Sequence, residues 1–155
     1  MIQYIKGDAT YPKYGGNKII VHVCNDVGKW GSGFVLALSK RWLKPKDEYM
    51  KWYSSQQDFK LGNCQIVKVS DDIYVANLIG QHKTVTKYDV NYIPIRYDAI
   101  ETGLKLVKIK AQELNASIHM PRIGCGLAKG NWNTISDIIE RTFDENNTQV
   151  YVYDL

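Results

Sequence analysis

Three cysteines and four prolines are few for a chain of 155 residues, and neither sign of charge predominates strongly. Cys24, Cys64 and Cys125 are odd in number and form no C-x-x-C pair, so neither a disulfide framework nor a structural zinc site is indicated. Free thiols, no metal and no cofactor are the expectation. With only 12 glycines beside the 4 prolines, collagen-like and disordered chains are excluded. No apolar run approaches the roughly 20 residues that cross a bilayer. Lys6 and Asp8 interrupt the only N-terminal stretch with the character of a signal peptide. A cytoplasmic location with no membrane partner is therefore expected. The 20 bases against 16 acids leave a net charge of +4, which does not require a polyanion and favours a small anionic ligand.

What is present fits one ordinary domain, residues 1–155: 45% of the chain is apolar and 23% charged, enough to bury a single core. Ile2 and Tyr4, then Ile19 to Val23, give two short β-rich runs separated by the turn-rich stretch Pro12 to Asn17. Phe34 to Trp42 and Asp47 to Gln57 read as helices. Cys64 to Val69 and Ile73 to Ile79 read as strands joined by the tight turn Ser70-Asp71-Asp72. The longest helix is expected to open at Pro94, in its first turn. Its core stripe is Ile100, Leu104, Val107, Ala111 and Leu114. Gly103 inside it costs about 1 kcal/mol relative to alanine and so signals close packing, and Asn115 is a left-handed stop. A strand from Ser117 to Met120, a helix carried by Trp132, Ile135, Ile138, Ile139 and Phe143, and a strand from Val150 to Tyr153 complete the chain. The order β, β, α, α, β, β, α, β, α, β needs crossover connections and predicts a three-layer α/β domain with a mixed sheet of about six strands.

Two loops concentrate glycine at a strand-to-helix junction, where exposed amides and a helix dipole favour phosphate. They are Asn25 to Gly33, with Gly28, Gly31 and Gly33, and Arg122 to Gly130, with Gly124 and Gly126. Either alone is readable as a turn, but two at equivalent junctions would converge outside the carboxyl ends of strands and grip one diphosphate. No G-x-x-x-x-G-K-[ST] occurs and the first loop lacks the G-x-G-x-x-G spacing, so kinase, GTPase and simple dehydrogenase readings lose their support.

The residues around these loops form an ordered set. Gly7-Asp8 follows the first strand. His22-Val23-Cys24-Asn25-Asp26 leads into Gly28-Lys29-Trp30-Gly31-Ser32-Gly33. Met120-Pro121-Arg122-Ile123-Gly124-Cys125-Gly126-Leu127 forms the second junction, and Val150-Tyr151-Val152-Tyr153-Asp154-Leu155 ends the chain. Essentially end to end, the set resembles a macrodomain, closest to the branch of the terminal ADP-ribose protein glycohydrolase and the yeast-type ADP-ribose 1''-phosphate phosphatase. The resemblance implies a three-layer α/β/α fold that binds ADP-ribose or an ADP-ribose derivative, with ADP-ribosylated protein or nucleic acid as a further partner. It assigns Asp8 to adenine recognition. Asn25, Asp26 and Gly28 through Gly33, with Gly31 and Ser32 among them, form the distal-ribose and phosphate loop, and Arg122, Ile123, Gly124, Cys125, Gly126 and Leu127 the second diphosphate loop. Tyr153 flanks adenine. Read from the residues alone, Asp8 is equally a turn acid, Tyr153 strand packing and Cys125 a tightly packed loop thiol.

The glycohydrolase branch uses a lysine and an aspartate, and those positions fall on Gln81 and Ala128. Neither side chain can form a covalent sugar adduct or act as a carboxylate, and Lys83 and Lys129 lie near them in sequence. The resemblance is stronger to the phosphatase side, through His22 and Asp26 as catalytic candidates with His82 beside them. A histidine can exchange protons near neutral pH and a carboxylate can orient water. His22, inside an apolar strand, is also readable as a satisfied core histidine, and His119 is taken as structural. The segment Gly80 to Ile93 is either a substrate-selecting loop or a plain surface connector. Three functions follow: hydrolysis of an ADP-ribose derivative or release of ADP-ribose from a target, a non-catalytic ADP-ribose reader, and last an RNA-binding face through Lys40, Arg41, Lys44, Lys46 and Lys51.

Overall fold

A computed structural model describes all residues, 1–155. Its strands are β1 (Ile2–Lys6), β2 (Lys18–Asn25), β3 (Cys64–Lys68), β4 (Ile73–Gln81), β5 (Ser117–Met120) and β6 (Val150–Asp154). Its helices are α1 (Phe34–Arg41), α2 (Lys44–Ser55), α3 (Tyr97–Leu114) and α4 (Trp132–Phe143), the last followed by a 3₁₀ turn at Asp144–Asn146. The strands form one six-stranded sheet in the order β1-β6-β5-β2-β4-β3. Every neighbouring pair is parallel except the β3–β4 hairpin, so the sheet is mixed and the expected alternation of elements is the one observed.

Layering follows from β2. Ile19 and Val21 point into the core shared with α3 and α4, packing with Leu104, Val107, Ile135 and Ile139. Ile20 and Cys24 point the other way, into the core shared with α1 and α2, where Leu38, Tyr49, Trp30 and Phe59 lie. A strand covered on both faces reads as a continuous apolar run rather than an alternating one, which is why Ile19-Ile20-Val21 shows no period. No helix is long and apolar enough to cross a membrane.

Local expectations hold at Asn115 and Gly103. Asn115 ends α3 with φ 51° and ψ 48°. A Cβ on Gly103 would sit 2.5 Å from Leu78 Cγ, so the missing side chain lets α3 lie directly against β4. Asn131 caps α4 by accepting the Thr134 amide at 3.2 Å. Two helix starts differ. The second helix starts at Lys44 rather than Asp47, with Pro45 in its first turn. Pro94 does not open α3, which begins at Tyr97 behind an extended Arg96. Residues 94–96 are drawn into sheet-like pairing with the end of β4: His82 N donates to Pro94 O, Arg96 N donates to Gly80 O, and Gln81 bridges Ile95.

Candidate functional site

After β2 the chain turns to the α1 and α2 face, and after β5, its neighbour in the sheet, it turns to the α4 face. The loops leaving these two strands pass to opposite faces of the sheet and frame a crevice between them at its topological switch point, the place where open α/β sheets bind ligands. A cleft of about 640 Å³ occupies it. His22, Cys24 and Asn25 come to it from β2, Lys29 to Val35 line one wall, and Pro121 to Ala128, except Cys125, line another. Gln81, Thr84 and Val85 close a third side.

The glycines divide by what a side chain would meet. At Gly31 and Gly126 nothing lies within 4 Å of the position a Cβ would take, so the backbone there is open to a ligand. Gly33 (φ 82°) precedes α1, which has neither a side-chain cap nor an acid in its first turn. Its free amides and the positive end of its dipole therefore remain available to an anion. Gly124 combines φ 72° with a Cβ position 2.6 Å from Ile95 Cδ1, and shapes the loop more than it meets a ligand. Gly28 lies outside the cleft: its Cβ position is 2.5 Å from the Tyr53 ring, with φ 74°. Its glycine is required by packing and turn geometry.

Asn25 is placed in the cleft by a β-bulge between Cys24 and Asn25 in the pairing of β2 with β4. Its Oδ1 accepts the amides of Val27 (3.0 Å) and Lys29 (3.1 Å) and the Tyr49 hydroxyl (2.9 Å), while Nδ2 donates to Lys29 O at 2.7 Å. The side chain thus fixes the first glycine loop, and one N–H of its amide remains for a ligand. Arg122 lines the cleft, but its guanidinium makes a two-point contact with Asp154, at 2.8 and 3.0 Å, and lies over the rings of Tyr4 and Trp132. The hydrogen bonds from Arg122 hold the Asp154 carboxyl below its ordinary value. With that charge paired and no Asp or Glu in the lining, Lys29 is the cleft's uncompensated cation; its Nζ is 3.5 Å from Thr84 Oγ1.

His22 lies in the cleft and is buried, with Nε2 2.5 Å from Asn77 Oδ1. Burial pushes its pKa down to about 4, so the ring is neutral at pH 7. Asp26 is not in the cleft. One residue beyond Asn25, its carboxylate turns to the segment after β4, where Oδ2 meets His82 Nδ1 at 2.6 Å and Oδ1 accepts the Lys83 amide at 2.7 Å. It anchors the loop containing Thr84 and Val85, and this commitment, not solvent activation, is what its geometry supports.

Three other sequence candidates also lie outside the cleft. Asp8 Oδ1 accepts the Thr10 amide (2.9 Å) and hydroxyl (2.8 Å), the arrangement of a turn acid. Tyr153 is buried, its hydroxyl accepting from Lys13 N at 2.9 Å and lying 2.7 Å from His119 Nδ1. Cys125 packs against the core, its thiol 3.5 Å from Ile123 O and its pKa raised by burial, which disfavours the thiolate a nucleophile needs. Lys83 and Lys129 do not line the cleft, and Lys129 Nζ is tied to Val90 O. Sequence reasoning gave Trp30 only as part of the first loop and missed Phe34 and Val35, whose apolar character signals core. It flagged Thr84 and Val85 only through the irregular segment that contains them.

No protein-family model matches the chain. It is 44% identical to a solved macrodomain protein from Streptomyces coelicolor, with a TM-score of 0.88, covering 100% of this chain and 99% of that one. Among curated relatives, ADP-ribose 1''-phosphate phosphatase from Candida albicans is 28% identical, with 98% of this chain and 99% of that protein aligned. Human ADP-ribose glycohydrolase OARD1 is 26% identical over 99% of this chain and 91% of its own length. Mouse chromodomain-helicase-DNA-binding protein 1-like is 29% identical over 98% of this chain, which spans only 17% of that relative's length.

Proposed function

Because the chain belongs to the macrodomain family, we propose that its cleft binds ADP-ribose and that the protein hydrolyses a small ADP-ribose derivative such as ADP-ribose 1''-phosphate. The observation that carries this reading is the convergence of two glycine loops whose open positions, Gly31 and Gly126, line one cleft free of carboxylates and containing the uncompensated Lys29. Such a surface suits a diphosphate on backbone amides. Asn25 and His22 lie where the distal ribose would follow. In this reading the adenine extends beyond the cleft to Asp8, whose Oδ2 makes no bond to the protein, and to Tyr153. Names borne by full-length relatives, a phosphatase and a glycohydrolase acting on ADP-ribose compounds, support the same chemistry.

The chain's own residues shape the reaction. Gln81 lines the cleft where the glycohydrolase branch has its lysine, and Ala128 stands in place of that branch's aspartate. Hydrolysis here therefore proceeds by water, without a covalent lysine adduct: phosphomonoester and water give ADP-ribose and inorganic phosphate. His22 is the group at the cleft able to exchange a proton. A cytoplasmic setting belongs to the same proposal, supported by three unpaired cysteines. An ADP-ribosylated protein or nucleic acid would enter only through its ADP-ribose group.

The test incubates the protein with ADP-ribose 1''-phosphate, O-acetyl-ADP-ribose and ADP-ribosylated protein, and measures free ADP-ribose binding by calorimetry. Binding with phosphate release from the first compound is expected. Binding with no turnover of any would make the protein a reader, the alternative favoured by the missing lysine and aspartate. No binding would overturn both.

A further inference from the structure

His22 ends a chain of two amides, buried Asn77 and half-buried Gln65, whose direction is fixed at its far end. Gln65 Nε2 donates to Glu48 O at 3.0 Å and Asn77 Nδ2 donates to Pro45 O at 3.1 Å, both acceptors being backbone carbonyls of α2. A carbonyl can only accept, so neither amide can be turned round. Gln65 Oε1 then accepts the second Asn77 N–H at 3.0 Å, and Asn77 presents its Oδ1 to His22 Nε2. An oxygen 2.5 Å from a ring nitrogen requires the proton on that nitrogen. His22 faces Asn77 because the two residues are register partners in the parallel pairing of β2 and β4. The other ring nitrogen, Nδ1, is buried and is the one buried side-chain polar atom with no hydrogen-bond partner. Around the ring lie Trp30 and Phe34, with centroids 5.3 and 5.9 Å away, and no charged side chain bonds to it.

We infer that Asn77 is a positioning residue that locks His22 in the neutral Nε2–H form and leaves the Nδ1 lone pair as an acceptor reserved for a hydroxyl of the ligand or for the attacking water. An orphaned buried acceptor is costly when empty, and satisfying it favours a partner that brings a donor. His22 therefore serves the cleft as an acceptor or base and not as an acid. The identity of the partner rests on the proposed ADP-ribose site; the tautomer does not.

Nitrogen-15 histidine labelling with long-range proton correlation reads both ring nitrogens directly. At pH 7 the free protein is expected to show a protonated-type Nε2 and an unprotonated Nδ1 at His22. An Nδ1–H form or an imidazolium there overturns the inference, whatever the protein binds. Adding ADP-ribose should then shift the Nδ1 resonance in the direction of an accepted hydrogen bond. If amide resonances of the glycine loops titrate while Nδ1 stays unmoved, the acceptor role fails although the site stands. If nothing titrates, the site fails while the tautomer stands or falls on the free spectrum. Asn77→Leu should give a mixture of tautomers and, on ADP-ribose 1''-phosphate, lower kcat at least tenfold with KM within threefold. Asn77→Asp, which in its protonated form can donate to Pro45 O and still accept from His22, should recover most of kcat. Equal losses in kcat and KM, or a tautomer unchanged in a folded Asn77→Leu, overturn the inference. Should Asn77→Leu not fold, the wild-type spectrum decides.

Discussion

Gly126→Glu separates binding from folding at the point where the two loops meet. No atom lies within 4 Å of the position a Cβ on Gly126 would take, and its φ is outside the left-handed region that penalises side chains. The substitution should therefore cost the fold no more than an ordinary surface change, about 0.5 kcal/mol. Its carboxylate would enter the space proposed for the diphosphate. At about 5 Å and an effective dielectric near 20, each like charge costs about 3 kcal/mol, roughly a hundredfold in Kd before any loss of amide contacts is counted. Gly124→Ala in the same loop should behave oppositely. With φ 72° and Ile95 Cδ1 2.6 Å from the new methyl group, it combines left-handed strain with overpacking, together about 2–4 kcal/mol of stability. Thermal unfolding and ADP-ribose calorimetry on both variants give the answer. A folded Gly126→Glu that keeps its affinity within threefold would show that the ligand does not cross this loop.

Two further outcomes follow from the same geometry. Burial holds His22 and His119 down to about 4 from 6.5, so between those values the folded state binds fewer protons than the unfolded chain. Stability is then complete above about pH 6.5 and falls as pH drops toward 4. At pH 5 the loss is about 2 kcal/mol for each ring, and denaturant titrations showing no loss between pH 7.5 and 5 would contradict both burials. Asp26→Ala should release the Lys83 amide, speeding its hydrogen exchange at least tenfold, with turnover reduced only as far as ligand affinity is. Abolished turnover with exchange unchanged would make Asp26 the catalyst that its sequence position suggests.

Helix and strand order is legible in the sequence because buried faces leave periods in the chain. The stripe from Ile100 to Leu114 and the hairpin around Ser70-Asp71-Asp72 depend mainly on residues near them in sequence. The place of Pro94 is not legible in this way, because its conformation is set by the pairing of residues 94–96 with Gly80, Gln81 and His82 across a long loop, Pro94 O accepting from His82 N. The cleft itself is legible through glycine, since backbone that must meet a ligand closely tends to lack side chains. Which glycine meets the ligand is not. Gly28 and Gly31 are the same letter three positions apart, and only the Tyr53 ring against one and open space at the other distinguishes them.

Side-chain roles are least legible where they depend on register. Asn25 and Asp26 are adjacent, yet the bulge at the end of β2 brings one to the cleft while the other anchors the loop behind it. Asn77 lies inside an apolar strand, where sequence alone offers a buried polar residue and no partner. Its significance arises from pairing with His22, 55 residues away, and from the acceptors that impose a direction on its amide, Pro45 O of α2 and Gln65 Oε1, the latter oriented by Glu48 O. A histidine in an apolar strand reads from sequence as either a core residue or a reactive one. Its two nitrogens separate those properties: Nε2 is satisfied within the core by Asn77, and Nδ1 is left without a partner in a residue that lines the cleft. Burial and reactivity are thus not competing descriptions of His22, because the hydrogen bond that satisfies one nitrogen also sets the protonation state of the other.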